Sequence, residues 1–307
     1  MTAPPLECVP NVSEGRDRAL IGALAAAVEA AGARLLDVHA DVDHNRSVFT
    51  FMGPAATVEA AALALARIAV ERLDLRTHRG VHPRFGAVDV IPFVPLRGAG
   101  MENAVAAARG LGPVLARELG VPVFYYGQAA LRPERHELAA LRRGGFEGLA
   151  AQMRAPGGEP DAGPRAPHAR AGATAIGARH VLIAFNAVLD SDELGLARDI
   201  ARALREAAGG LAGIRALGVP LASRRRVQVT MNLENYRQTP VARVMAAVEA
   251  EAARRGIKVL EYELVGCAPA DAFRGVDQAR VRLSPVQLLD PGLFATADAG
   301  PPRCVSD

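Results

Sequence analysis

One order of strands and helices runs twice along this chain, and that repetition limits the folds open to it. LECVPNV (6–12) alternates as a strand does, and ALIGALAAAVEAAG carries the apolar spacing of an amphipathic helix up to Gly32. RLLDVHAD and RSVFTFMG (46–53) predict two strands joined by a polar turn. AATVEAAALALARIAVERL predicts a second helix and FGAVDVIPFVPL a further strand, whose Pro92 and Pro95 argue for a sheet edge or an early end. From about residue 174 the β-α-β-β-α-β order returns in HVLIAFNAVL, DELGLARDIARALREA, GIRALGVPL, RVQVTMNL, TPVARVMAAVEAEAARRG and IKVLEYELVG. The expected fold is α/β, an α+β sandwich of two duplicated ferredoxin-like βαββαβ subdomains, each with helices on one face of its sheet. Each sheet then has a bare face to bury, and packing the two together leaves a cleft between the halves.

Between the repeats lie a helix, ENAVAAARGLGPVLAREL, expected to bend or break near Gly110 and Pro113, and a strand, VPVFYYG. A last helix over 132–153 is interrupted at Gly144 and Gly145. Residues 154–173 hold four prolines and little apolar character, a linker or a ligand-holding loop. The expected boundaries are 1–173 for the first subdomain, 174–290 for the second and 291–307 for a loosely held tail.

Composition narrows the function. With 50% hydrophobic and 22% charged residues the chain is globular. A formal charge of +3 admits an anionic ligand but provides no dense basic tract for nucleic acid, and the run Arg224 to Arg226 reads as a solvated turn. Cys8, Cys267 and Cys304 have neither disulfide-framework nor zinc-site spacing. The N-terminus lacks the apolar core of a signal peptide, and the apolar helix at 55–70 is too short and polar for a membrane span. A cytoplasmic protein is expected.

Three stretches carry candidate chemistry. THRGVHPRFGAVDVIPFVP (77–95) crowds His78, His82 and Arg84 before a strand. His78 and His82 have a metal-pair spacing, but Gly80 and Pro83 oppose a helix there and no further ligands complete a site. A packing role and a proton-transfer role for these histidines both stand. DVHADVDHNRS places Asp37, His39 and Asp41 on one strand face, either a solvated strand end or carboxylates that orient a histidine or steady a cationic carbon. GPRAPHARAGATAIGAR (163–179) is neither a P-loop nor a Rossmann turn, yet its amides and Arg165, Arg170 and Arg179 suit a flat, carboxylate-bearing ligand.

Together with ECVPNVSEGR, VPVFYYGQAA, VQVTMNL and ELVGCAP, these stretches run in order from residue 6 to about 285 and resemble glutamate formimidoyltransferase. The resemblance implies a stand-alone transferase, without the cyclodeaminase domain of the bifunctional vertebrate form. It would move the formimino group between 5-formiminotetrahydrofolate and L-glutamate in histidine breakdown. It also implies two α/β subdomains packed around a tunnel in a homodimer, tetrahydrofolate as co-substrate, and no metal, nucleic acid or membrane. By motif, His82 of GVHPRFG is the catalytic acid–base group and Gly163 to Gly172 the folate loop. Arg84 is assigned to a substrate carboxylate, and Asp41 or Asp37 to the cationic amidinium. Folate and glutamate contacts are assigned to Asn45 and Arg46, to Gly163, Pro164, Arg165, His168, Arg170 and Gly172, and to Ala173 and Thr174. His39 stands where the vertebrate form has an aspartate, which leaves that acid's duty to Asp37 or Asp41; Gln128 replaces a glutamate. The alternatives are a glutamate formyltransferase using the 5-formyl group and a non-catalytic folate-binding module.

Overall fold

The computed structural model describes residues 4–294. The first repeat opens with β1 (Pro5–Cys8) and β2 (Asn11–Val12), one strand interrupted at Pro10, and continues through α1 (Arg18–Ala30), β3 (Arg34–Asp41), β4 (Arg46–Pro54), α2 (Ala55–Arg72) and β5 (Val88–Pro95). The interrupted strand lies between β4 and β5, and β3 flanks β4. After α3 (Met101–Leu119), the strands β6 (Val123–Gly127) and β7 (Thr174–Ala178) extend this sheet beyond β5, all three parallel. The second repeat comprises β8 (Ile183–Leu189), α6 (Leu194–Leu204), β9 (Ile214–Leu221), β10 (Arg226–Leu233), α7 (Val241–Arg254) and β11 (Val259–Val265). Its order β11-β8-β10-β9 matches that of the first repeat, with the last strand beside the first and the third between the first and second. α4 (Leu138–Leu141) and α5 (Gly145–Arg154) complete the helices.

Helix formation is local in origin. The Asp17 carboxylate caps α1 by accepting from the amides of Ala19 and Leu20, and Leu20, Ile21, Leu24 and Val28 bury one stripe of it. α1, α2 and α3 cover the outer face of the first sheet, over Leu6, Cys8, Phe49, Phe51, Ile91 and Phe93. α6 and α7 cover the second sheet in the same way, over Ile183, Phe185, Val227 and Val229. The inner faces meet through polar groups. His44 Nε2 lies 3.0 Å from Gln228 Oε1, His39 Nε2 lies 3.8 Å from Glu263 Oε1, and Ser223 donates to the Asp43 carboxylate. On the remaining inner face of β5, β6 and β7, α4 and α5 bury Phe85, Phe124, Tyr126, Leu149 and Met153.

Three expectations are corrected. β5 is a central strand despite its prolines, because Pro92 falls opposite the break between β1 and β2, where the ladder is already interrupted. α3 continues unbroken through Pro113. The proline frees the Arg109 carbonyl four residues back, and the Tyr125 hydroxyl donates to that oxygen at 3.1 Å. Gly112 permits this, since a Cβ there would lie 2.1 Å from the Tyr125 hydroxyl. Finally, Thr174–Ala178, assigned beyond the 173 boundary, pairs with β5 and β6 in the first sheet. Of the expected tail, Phe294 is buried and bridges to Leu96; residues 295–307, with Cys304, lie outside the described residues.

Glu7 is the one carboxyl of β1, on the inner face and 3% exposed. Burial pushes its pKa from 4.5 up to about 7, partly opposed by Arg179. A carboxyl raised in this way stabilises the fold fully below its unfolded value, and that contribution is lost as pH climbs through the folded value. We therefore expect stability to fall between pH 5 and 8 by about 3 kcal/mol from this group. Denaturant unfolding should find Glu7→Gln close to wild type at pH 5 and more stable at pH 8; parallel pH profiles would refute this.

Candidate active site

At one end of the first sheet's parallel strands, the loops before β5 and β7 run side by side. Gly86 bridges to Gly172, the Ala87 amide donates to the Ala171 carbonyl, and the Ala173 amide donates to the Phe85 carbonyl. The two stretches singled out from sequence, 77–87 and 163–173, are thus neighbours. The β3–β4 turn joins them through Asn45, a left-handed residue with φ 48°. Its Oδ1 accepts from the Gly15 amide and its Nδ2 donates to the Arg79 carbonyl, both at 3.0 Å. Gly80 is required at this junction, because a Cβ there would come within 2.2 Å of the His44 carbonyl.

Hydrogen bonding assigns the histidine tautomers. His78 Nε2 donates to the Asn45 carbonyl at 2.8 Å, and its Nδ1 accepts from Arg84 Nε at 3.1 Å. Both nitrogens are engaged, so His78 is a structural ring. The half-buried His82 lies 2.7 Å through Nδ1 from the Pro83 carbonyl, an oxygen that can only accept. The neutral ring therefore carries its proton on Nδ1 and its basic lone pair on Nε2. Burial first, then the charges of Arg46 and Arg142, hold its pKa well below the usual 6.5. His44, buried and likewise lowered chiefly by burial, stands with its ring 5.8 Å from that of His82.

The charge beside His82 comes from a triad that sequence reading only partly located. Asp89, fully buried on β5, lies through Oδ2 2.8 Å from Arg46 Nη1 and 2.5 Å from Arg142 Nη2. Its Oδ1 accepts from the Phe85 amide. Burial pulls the Asp89 pKa upward, but Arg142 and Arg46 outweigh it and the net shift is down. Burial lowers Arg46 to about 10, with Asp89 opposing. Two guanidinium groups on one carboxylate leave one net positive charge in the protein next to the His82 ring.

Other expected contacts are placed differently. The Arg84 fork meets Glu147, with Nη2 2.8 Å from Oε1 and Nη1 2.9 Å from Oε2, so in this structure its carboxylate partner belongs to the protein. The side-chain amide of Asn45 holds two loops together, through Gly15 and Arg79. His168 Nδ1 accepts from the Arg170 and Ala171 amides and closes its own turn. Arg170 lies 3.6 Å from Asp74, while Gly163, Pro164 and Arg165 are exposed. Ala173 and Thr174 are buried, and a Cβ on Gly172 would lie 2.0 Å from the Phe85 carbonyl oxygen. Asp41 accepts from the Asp43 and His44 amides through Oδ1 and lines a cavity of about 180 Å³ between the sheets. His39 faces Glu263 rather than the solvent.

Two α/β repeats joined along polar sheet faces, with an imidazole held beside a buried arginine–aspartate cluster in the first of them, make the frame of a transferase. The chain belongs to the formiminotransferase family. Residues 5–179 match the formiminotransferase domain, N-terminal subdomain, and 184–282 the formiminotransferase domain. It is 41% identical over 269 residues to the glutamate formimidoyltransferase of Streptococcus pyogenes, covering 87% of this chain and 90% of that one. Identity to the glutamate formimidoyltransferase of Thermoplasma acidophilum is 43% over 282 residues, covering 91% and 93%. Against the formimidoyltransferase-cyclodeaminase of Rattus norvegicus it is 40% over 275 residues, 87% of this chain but 51% of that protein. Among the described residues no helix is long and apolar enough to cross a membrane.

Proposed function

We propose that this protein is a glutamate formimidoyltransferase, passing the formimino group between glutamate and tetrahydrofolate with His82 as the acid–base group. The observation that carries the reading is the His82 tautomer: Nδ1 is tied to the Pro83 carbonyl, leaving Nε2 free to take a proton. The lowered pKa keeps the resting ring neutral at physiological pH.

The proposed reaction uses this geometry. The attacking nitrogen, pterin N5 or the glutamate amine according to direction, forms a bond to the amidinium carbon and acquires positive charge. His82 Nε2 takes its proton. The ring, now cationic beside the surplus charge of Arg46 and Arg142, is a strong acid and hands the proton to the departing nitrogen. The other carbon–nitrogen bond breaks, and the leaving group departs as a neutral amine. Folate lies along the 163–172 loop, in an arrangement supported by the adjacency of that loop to 77–87. A cytoplasmic homodimer acting in histidine breakdown accords with the family.

Incubation of the purified protein with formiminoglutamate and tetrahydrofolate should yield 5-formiminotetrahydrofolate. Silence there with activity on N-formylglutamate would select formyl transfer, and folate binding without either product would select a binding module.

A further inference from the structure

The loop that carries His82 is tied down just beyond the ring. The Phe85 amide donates to Asp89 Oδ1, and the Phe146 amide donates to the Arg84 carbonyl at 3.0 Å. The second bond seats the turn between α4 and α5 against this loop, and Arg142, which follows α4 directly, lies in that turn. Arg142 is incompletely used. It reaches Asp89 through Nη2, its buried Nε meets no acceptor among the described residues, and its side chain is 15% exposed. A guanidinium offers five N–H donors, so acceptors are wanting. Charge is left over as well, because Asp89 also holds Arg46, and two cations share one anion. The neighbouring arginines are better engaged. Arg84 meets Glu147 through both Nη atoms, and Arg46 gives Nε to Asn11 and Nη1 to Asp89.

Glutamate brings the matching group. Its nitrogen and its α-carboxylate hang on one carbon, so a site that places the nitrogen at His82 Nε2 must receive an anion close by. We propose that Arg142 is a substrate-binding residue whose guanidinium, held by Asp89, receives the α-carboxylate of the glutamate moiety and so presents the reacting nitrogen to His82. This rests on the functional reading above and deepens it. The bound carboxylate brings the arginine–aspartate cluster to charge balance. Burial, the largest cause of the low His82 pKa, is untouched, so the protonated ring still gives up its proton readily.

Ligand-observed NMR titration with glutamate, its α-amide and glutamine, the γ-amide, tests this. The wild type should bind glutamate about 10- to 100-fold more tightly than the α-amide, the range of a hydrogen bond to a charged group. Arg142→Gln leaves Asp89 paired one to one with Arg46, so the fold should persist. That variant should bind glutamate and glutamine about 10- to 100-fold more weakly, and the α-amide within about threefold of wild type. Arg142→Lys, which keeps the charge without the fork, should retain part of the preference. The proposal is overturned if the wild type binds glutamate no better than the α-amide or not measurably. It is equally overturned if Arg142→Gln keeps the wild-type preference or weakens all three compounds alike. Wild-type protein that makes no 5-formiminotetrahydrofolate from formiminoglutamate strikes the functional reading instead, and the same titrations still decide Arg142.

Discussion

His82→Ala should lose two to four orders of magnitude in kcat and still bind folate with nearly unchanged affinity. That range is what a positioned proton-transfer group contributes. The ring's one hydrogen bond is to the adjacent Pro83 carbonyl, so its removal leaves no distant partner unpaired and the fold should persist. Steady-state kinetics together with a folate titration separate the outcomes. A variant that turned over normally would remove His82 from the chemistry. One that lost folate binding and turnover in proportion would make the ring a binding group.

Asp89→Asn should cost about 3–5 kcal/mol of folding stability, the penalty for stripping a buried charge of its partner. Arg46 and Arg142 both converge on Asp89 Oδ2, and Arg46 is only 9% exposed. Asparagine keeps the shape and loses the charge, leaving two guanidinium groups facing each other without an anion. The melting temperature should fall by about 5–15 °C. Two uncompensated charges near His82 should depress its pKa further, so turnover at neutral pH falls as well. A melting temperature within a degree of wild type would show that the triad bears no such load.

The duplication was legible because it rests on periodicity, which needs no knowledge of distant contacts. The two 2-versus-3.6 patterns place β3, β4, β8, β10 and α7 within a few residues of where they occur. Proline rules failed at 92 and 113, each time because a neighbour absorbs the missing donor: the gap at Pro10 in one case, the Tyr125 hydroxyl in the other. β7 escaped notice because TAIGA is short, small-residued and fully buried between β5 and β6, with no alternation to mark it. At the site, His82 was reachable through its motif, whereas its electrostatic setting was not. Asp89 sat inside an apolar strand run, and Arg142 in a helix to which no chemistry was assigned, with nothing local to connect them. Arg84 had the chemistry of a carboxylate clamp, yet only the fold shows that Glu147 already occupies it. His39 meets a carboxylate of the other repeat, Glu263, at 3.8 Å, a contact no local pattern announces.

Nitrogen NMR of the imidazole of His82, assigned by comparison with His82→Ala, tests the central claim most directly. The account predicts a neutral ring at pH 7 with the proton on Nδ1 and the lone pair on Nε2, becoming charged only well below pH 6.5. A ring protonated on Nε2, or one already cationic at pH 7, would contradict it.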